Sequence, residues 1–232
     1  MIKLAIFDLG ETLIFYKGLA LDWSSHYGKA LRSVFAELHI TLNEKQITQA
    51  SYTLYKYNTR INPRAEEVSA DRIFAELLDA ADISKTHLDN FINGFFKYFQ
   101  RKTEPEETAF ELLTFLKGKG INTAVLTDVP YGMPKKLVME DLKSIKEYID
   151  VVLTSVEVGY RKPSTNGLHL LLDKFNCKQT EAVYVGNEKK DVDTAVNTGV
   201  LPVLLNNDTA APTWGQKQTI SKLIELKKLL TG

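Results

Sequence analysis

The sequence predicts an α/β fold, a doubly wound and mostly parallel sheet that carries an inserted α-helical cap. Three observations predict it. Five short apolar runs are rich in aliphatic and β-branched residues and show little polar alternation, as strands buried on both faces do. Amphipathic helical patterns separate the last four runs, which is the rhythm of a parallel sheet with crossover helices. The stretch from about 16 to 103 breaks that rhythm with helical stripes and no convincing strand.

The elements follow in order. The first run is Leu4–Phe7. Four amphipathic patterns come next. "KALRSVFAEL" stripes Leu31, Val34, Phe35 and Leu38, and "EKQITQASYTLYKY" is looser. "DRIFAELLDAADI" stripes Ile73, Phe74, Leu77 and Leu78, and "HLDNFINGFFKYF" carries Leu88, Phe91, Ile92, Phe95, Phe96 and Phe99 at helical spacing. Such stripes are core, and together they predict a helical bundle inserted after the first strand. "TAFELLTFLKGKG" stripes Ala109, Leu112, Leu113 and Leu116 and stops at glycines. The remaining strands are expected at 123–126, 151–153, 182–185 and 202–205. "SIKEYI" and the segment before it predict a weaker helix, "PSTNGLHLLLDKF" a helix opening at Pro163, "KDVDTAVNTG" a helix ending at Gly199, and "SKLIELKKLL" a last helix. The expected division is a core of 1–15 and 104–232 and a cap of 16–103.

Bulk properties narrow the function classes. The chain of 232 residues is 44% hydrophobic and 25% charged, the composition of a soluble globular protein. Lysine plus arginine and aspartate plus glutamate each number 29, so the basic excess of a nucleic-acid binder is missing. The single cysteine, Cys177, cannot form an internal disulfide and reads as structural, which favours a reducing compartment. The histidines, His26, His39, His87 and His169, show no metal-ligand spacing. Asp8 interrupts the first apolar run, so no signal peptide is expected, and no run reaches the ~18 residues of a membrane span. The expectation is a cytoplasmic protein with no nucleic-acid or membrane partner; the oligomeric state stays open.

Ligands of an open parallel sheet bind beyond the carboxyl ends of its strands. There the sequence places Asp8 after the first run, Thr127 and Asp128 after the second, Lys162 in the loop after the third, and Gly186, Asn187, Glu188 and Asp191 after the fourth. A carboxylate, a hydroxyl, an ammonium and further acidic groups converge on one sheet edge. Phosphoryl transfer needs such a set: an oxygen nucleophile, a cation against phosphate charge and donors for the equatorial oxygens.

Four stretches give a sharper reading. "DLGETL", "AVLTD", "SVEVGYRKP" and "VYVGNEKKDVDTAVNTG" occur in order over the whole chain. They resemble the four motifs of the haloacid dehalogenase superfamily, whose members are mostly magnesium-dependent phosphatases with a helical cap inserted after the first strand. The resemblance implies a Rossmann-like core and hydrolysis of a small phosphorylated metabolite through a phosphoaspartate on Asp8. It implies Thr127 on a phosphoryl oxygen and Lys162 screening Asp8. Gly10, Glu11, Thr12 and Asp128 would surround the substrate. Magnesium would be held by Asp8, the Gly10 carbonyl, Asn187, Glu188 and Asp191. Tyr16, Lys17, Trp23, Arg60, Arg64 and Tyr131 are the candidate selectors.

Two positions depart from the family pattern. Gly10 replaces the aspartate that protonates the leaving alcohol, a loss that typically costs roughly 10²–10⁴ in rate. Asn187 replaces a magnesium-binding aspartate, so the ion meets one charge fewer, which Glu188 is positioned in sequence to restore; Glu11 is the corresponding candidate for the lost acid. Two alternatives therefore stay open: a metal-independent dehalogenase, and a degenerate member that binds a phosphorylated ligand or a partner without turnover. A dinucleotide-binding reading fails because no glycine-rich turn follows the first strand.

Overall fold

The computed structural model describes residues 1–18, 21–100, 103–208 and 210–231. β1 (Leu4–Phe7) and β2 (Ile14–Tyr16) precede four helices, α1 (Tyr27–Glu37), α2 (Glu44–Tyr57), α3 (Ala70–Ala80) and α4 (Leu88–Phe99). β3 (Thr103–Pro105), α5 (Ala109–Gly118), β4 (Asn122–Thr127), α6 (Lys135–Asp141), β5 (Val151–Thr154) and α7 (Ser155–Val158) follow. Then come α8 (Asn166–Lys174), β6 (Ala182–Gly186), α9 (Lys189–Thr198), β7 (Leu201–Leu205), β8 (Gln218–Ile220) and α10 (Leu226–Thr231).

Six strands pair in the order β5-β4-β1-β6-β7-β8, each neighbour parallel. All four residues of β1 are fully buried, because helices cover both sheet faces. One face packs Phe7, Val125, Val185 and Val203 against α5 and the C-terminal turns; the other packs Leu4, Ile6, Ala124 and Tyr184 against α8 and α9. The chain leaves β1 to opposite sides, toward β4 and toward β6, so the sheet's switch point lies at the carboxyl end of β1.

The five expected strands are present, with ends within one or two residues. The sixth, β8, escaped the sequence reading because it is three residues long and buries only Ile220. β2 and β3 were also unforeseen. They form a separate antiparallel pair at the two ends of the helical insertion, with Tyr16 opposite Thr103. The α8 helix opens at Asn166 and not at Pro163, which instead follows Lys162 through a cis peptide. The "SIKEYI" segment makes only a single 3₁₀ turn, Lys146–Tyr148.

α1 to α4 bury their stripes against one another. Asn43 and Gln46 form a reciprocal capping box that starts α2, and the Ser69 side chain caps α3. Phe95 is the hub of their core: it is fully buried and its ring lies 4.8–6.3 Å from those of Trp23, Phe74, Phe96, Phe99 and Tyr131. Tyr131 belongs to the loop after β4, so this aromatic core reaches from the insertion into the α/β layer. The same loop holds Gly132 at φ +64, where a Cβ would stand 2.3 Å from the Val68 carbonyl oxygen. Only glycine permits that approach. A second clasp is formed by Glu67, whose amide donates to Gly159, and by the Arg161 amide, which donates to Ala65. Beneath it the Arg161 guanidinium pairs with the Glu67 carboxylate, which also accepts from Ser155 Oγ at 2.6 Å.

Phe95→Ala opens a cavity in the hub and is expected to destabilise the protein by about 3–5 kcal/mol. Urea unfolding followed by circular dichroism measures this; a loss below about 1 kcal/mol would contradict the hub assignment.

Candidate active site

Asp8 is the first residue past β1, and its amide still donates to the Val185 carbonyl at 2.8 Å, so the ladder fixes its backbone. Lys162 Nζ lies 2.5 Å from Asp8 Oδ1 and 2.6 Å from Asp191 Oδ1. All three side chains are buried or nearly so. Tyr184, on β6, donates from its hydroxyl toward Asp191 at 3.3 Å and sits 3.1 Å from Lys162 Nζ, which walls the ammonium from behind. Asp191 reaches this position because Gly186 has no side chain: a Cβ there would stand 2.4 Å from the Asp191 carboxyl carbon.

The electrostatics follow from one ammonium serving two carboxylates. Burial pushes the Asp8 carboxyl up to about 6; Lys162 opposes that shift and the Asp191 charge adds to it. Burial by itself lowers Lys162, but Asp191 and Asp8 outweigh it and hold the ammonium well above its usual range. Burial likewise raises Asp128, yet Lys162, Lys190 and Arg161 together bring it below the ordinary carboxylate value.

Asp8, Gly10, Glu11, Thr127, Asp128, Lys162, Asn187 and Glu188 all line one cavity of about 430 Å³. Among the described residues the Thr127 hydroxyl has no hydrogen-bond partner, nor do the amides of Leu9 and Gly10 or the Gly10 carbonyl. The turn explains this. Glu11 takes φ +57, its amide donates back to Ile14, and the Leu9 carbonyl accepts from Thr12, Leu13 and Ile14. The preceding groups are left facing the cavity.

Several expected roles change with this geometry. The amides of Glu11 and Thr12 are already bonded within the turn and are not available to a ligand. Thr12 is fully buried and donates to Asn187 Oδ1 at 3.2 Å, so it supports Asn187 from below. Burial raises the Glu11 carboxyl, and the nearby Tyr16 amide opposes that shift in part. Asp128 takes the Lys162 amide at 3.1 Å and Lys190 Nζ at 3.2 Å, which anchors the lysine loop. Asp191 spends one oxygen on Lys162 and the other on the Glu188 amide at 2.9 Å, and it is buried behind the residues that line the cavity. Glu188 pairs with Arg60 and with Lys190, so its charge is already neutralised. Of the candidate selectors, Tyr16, Trp23, Arg60, Arg64 and Tyr131 line the cavity, whereas Lys17 pairs with Glu104 at 2.6 Å. Arg64 is turned to the Tyr57 carbonyl and to Glu67.

Sequence reasoning missed Tyr184 and Lys190. The signal for Tyr184 was present, since residues 184 and 186 share a face of a strand. Asp141 was missed too. It lines the cavity and accepts from Tyr16 Oη at 3.1 Å and from Gln100 at 3.3 Å, and burial raises its carboxyl.

No three histidine, cysteine, aspartate or glutamate side chains are grouped as a metal cage among the described residues. Magnesium demands less than a cage: it keeps waters and binds through one or two carboxylates plus substrate phosphate. The Asp8 carboxylate, the Gly10 carbonyl and Asn187 Oδ1 are oxygens of that kind along one cavity, so the residues fit a magnesium ion held with little protein charge.

Comparison with known proteins gives the family. A family model of haloacid dehalogenase-like hydrolases matches residues 2–199, and the chain belongs to that family. A glyceraldehyde 3-phosphate phosphatase of Methanothermobacter thermautotrophicus is 25% identical over 213 residues, covering 90% of this chain and 87% of that protein. A 2-haloacid dehalogenase of Pseudomonas syringae pv. tomato shares the fold at a TM-score of 0.68 and 21% identity, covering 99% of this chain and 98% of that one. A phosphatase of the same superfamily from Thermococcus onnurineus superposes at 0.65 and 20% identity, over 100% and 99% of the two chains. Among the described residues no helix is long and apolar enough to cross a membrane.

In metal-free protein the Asp8 side-chain carboxyl is expected to titrate near pH 6 by carbon NMR. Asp191→Asn removes a like charge and moves that midpoint down, while Lys162→Met removes the compensating cation and moves it up. An unshifted midpoint near 4, the ordinary aspartate value, would contradict the coupling.

Proposed function

We propose that the protein is a magnesium-dependent phosphohydrolase that turns over phosphate monoesters through a phosphoaspartate on Asp8. The observation that carries the reading is Lys162 Nζ bridging Asp8 and Asp191 at the switch point of the sheet. The bridge holds Asp8 Oδ1 still and leaves Oδ2 facing the cavity as the attacking oxygen. The Leu9 and Gly10 amides and the Thr127 hydroxyl are donors for the phosphoryl oxygens, without competing partners among the described residues. When bound, magnesium supplies charge neutralisation for the phosphoryl group, and Asp8, the Gly10 carbonyl and Asn187 are the residues that would hold it. Attack by Asp8 expels the alkoxide; water then cleaves the phosphoaspartate and returns the carboxylate. The helices of residues 16–103 act as a cap that excludes water and supplies the walls around the leaving group.

Among the described residues no cavity carboxylate stands free to protonate that leaving group. Glu11 and Asp141 both line the cavity, but each is engaged by Tyr16. Gly10 has room for the missing acid, since a Cβ there meets only Tyr16 Cε2 at an ordinary 3.5 Å. Gly10→Asp is therefore expected to fold and to raise kcat/KM for alkyl phosphates by roughly 10²-fold or more, and for aryl phosphates far less. Equal effects on both would contradict the missing-acid account.

Asp8→Asn is expected to lower turnover by more than about 10³-fold while leaving the fold intact. Asn187→Asp adds the absent ligand charge and is expected to tighten magnesium at least roughly tenfold by isothermal titration. Unchanged affinity would place the ion elsewhere.

A second reading, hydrolytic dehalogenation at the same Asp8, is favoured by Gly10 and Asn187, which each lack the acid that phosphatases of this family carry. Chloride release from 2-chloropropionate without magnesium would select it.

A further inference from the structure

We infer that the substrate, on the phosphohydrolase reading above, is a phosphate monoester of a phenol or a comparably acidic hydroxyl borne on an apolar, ring-sized body. Two independent features of one cavity point to it. The first is an apolar part of the cavity lining. Trp23, Phe99, Tyr131, Met133, Leu137 and Val138 line the same space as Asp8 and Lys162. Trp23 lies flat on Phe99, with ring centroids 4.2 Å apart at 5°, and 5.7 Å from the Tyr131 ring. Of the six residues only Met133 is more than marginally exposed, so the wall is a set, apolar surface. A volume of about 430 Å³ is ample for a ring beside a phosphoryl group. A small polyhydroxylated leaving group would lose its water there and find few partners on that wall.

The second feature is the missing acid at Gly10. The P–O bond of a monoester breaks with its electron pair on the leaving oxygen. An alkoxide needs a proton at that moment, because its conjugate acid is about as weak as water, near 15.7. A phenol ionises near 10, so a phenolate leaves unprotonated and takes a proton from water afterward. The second step needs no acid either. Water attacks phosphorus, the P–O bond to Asp8 breaks with its pair on the carboxylate, and the water's proton is released to solvent. The apolar wall and the glycine thus select the same class of ester, one by its body and the other by its bond.

Four substrates separate the two features in the presence of magnesium. Phenyl phosphate has both the apolar body and the good leaving group. Acetyl phosphate has only the leaving group, phenethyl phosphate only the body, and glycerol phosphate neither. Phosphate release is expected to give phenyl phosphate a kcat/KM at least roughly 10²-fold above phenethyl phosphate, the size of a general-acid contribution. It is expected to exceed glycerol phosphate by more than that, because both features then act; acetyl phosphate, whose acetate leaves more readily than phenolate, is the reference without a ring for the ratio below. Trp23→Ala should cut the phenyl-to-acetyl ratio by about tenfold. Should Trp23→Ala fail to fold, Met133→Gln, on a partly exposed part of the wall, should lower the same ratio. Hydrolysis of glycerol phosphate within tenfold of phenyl phosphate, or a ratio unmoved in the folded variants, overturns this inference and leaves the phosphohydrolase reading standing. Release from none of the four overturns both.

Discussion

A single buried ammonium shared by two carboxylates is the constraint around which the site is arranged. Burial raises Asp8 to about 6; Lys162, shared with Asp191, opposes that shift only in part, and the Asp191 charge adds to it. Removing the lysine would leave two buried carboxylates without a counter-charge, which costs several kcal/mol. That cost explains why so much of the surrounding structure serves the lysine. Asp128 anchors its backbone, Tyr184 backs its ammonium, and Gly186 clears space for Asp191. It also defines what a phosphate ligand meets. A phosphoryl group with close to two negative charges enters a pocket whose nearest cation is already outnumbered, so further positive charge has to come with it. The open oxygens on Asp8, Gly10 and Asn187 are where a divalent ion would supply it.

The helical insertion is tied to this centre at two levels. Backbone bonds join residues 65 and 67 to the loop that carries Lys162, with the Arg161–Glu67 pair packed beneath them. Side chains join the aromatic hub to the loop after Thr127 through Tyr131. The loops that lead from β4 and β5 into the candidate site therefore both touch the insertion directly. Arg60 extends the connection to Glu188 at the start of α9. A change in how the insertion packs would reach the ammonium, the hydroxyl and the helix start together.

Much of the core was legible because its signals are local. The run Leu4–Phe7 is bounded by a lysine and an aspartate, and the strand ends where the reading put it. The α2 helix spans the same fourteen residues as its sequence pattern, since Asn43 and Gln46 fix its start. What stayed hidden depends on contacts across long sequence separations. β8 has no apolar run of its own and exists because it pairs with β7. β2 and β3 are each too short to signal a strand and become one only by pairing across the whole insertion. The same holds within the site. Asp8, Thr127 and Lys162 sit at strand ends or in the loop beyond, where topology alone places ligands. Glu188 and Asp191 were legible as acids near the site, but their partners, Arg60 at 128 residues' distance and Lys162 at 29, decide what they do. The positive φ of Glu11, which moves the free amides back to Leu9 and Gly10, has no strong residue signature because glutamate seldom adopts it.

Direct detection of the covalent intermediate tests the central claim most closely. Protein mixed with an aryl phosphate and magnesium, quenched in acid and digested, should yield a phosphorylated peptide containing Asp8, and mass spectrometry should locate the group on that carboxylate. The label should vanish in Asp8→Asn and form more slowly in Lys162→Met. A protein that releases phosphate steadily while Asp8 stays unmodified, or that carries the group on another residue, would contradict the account.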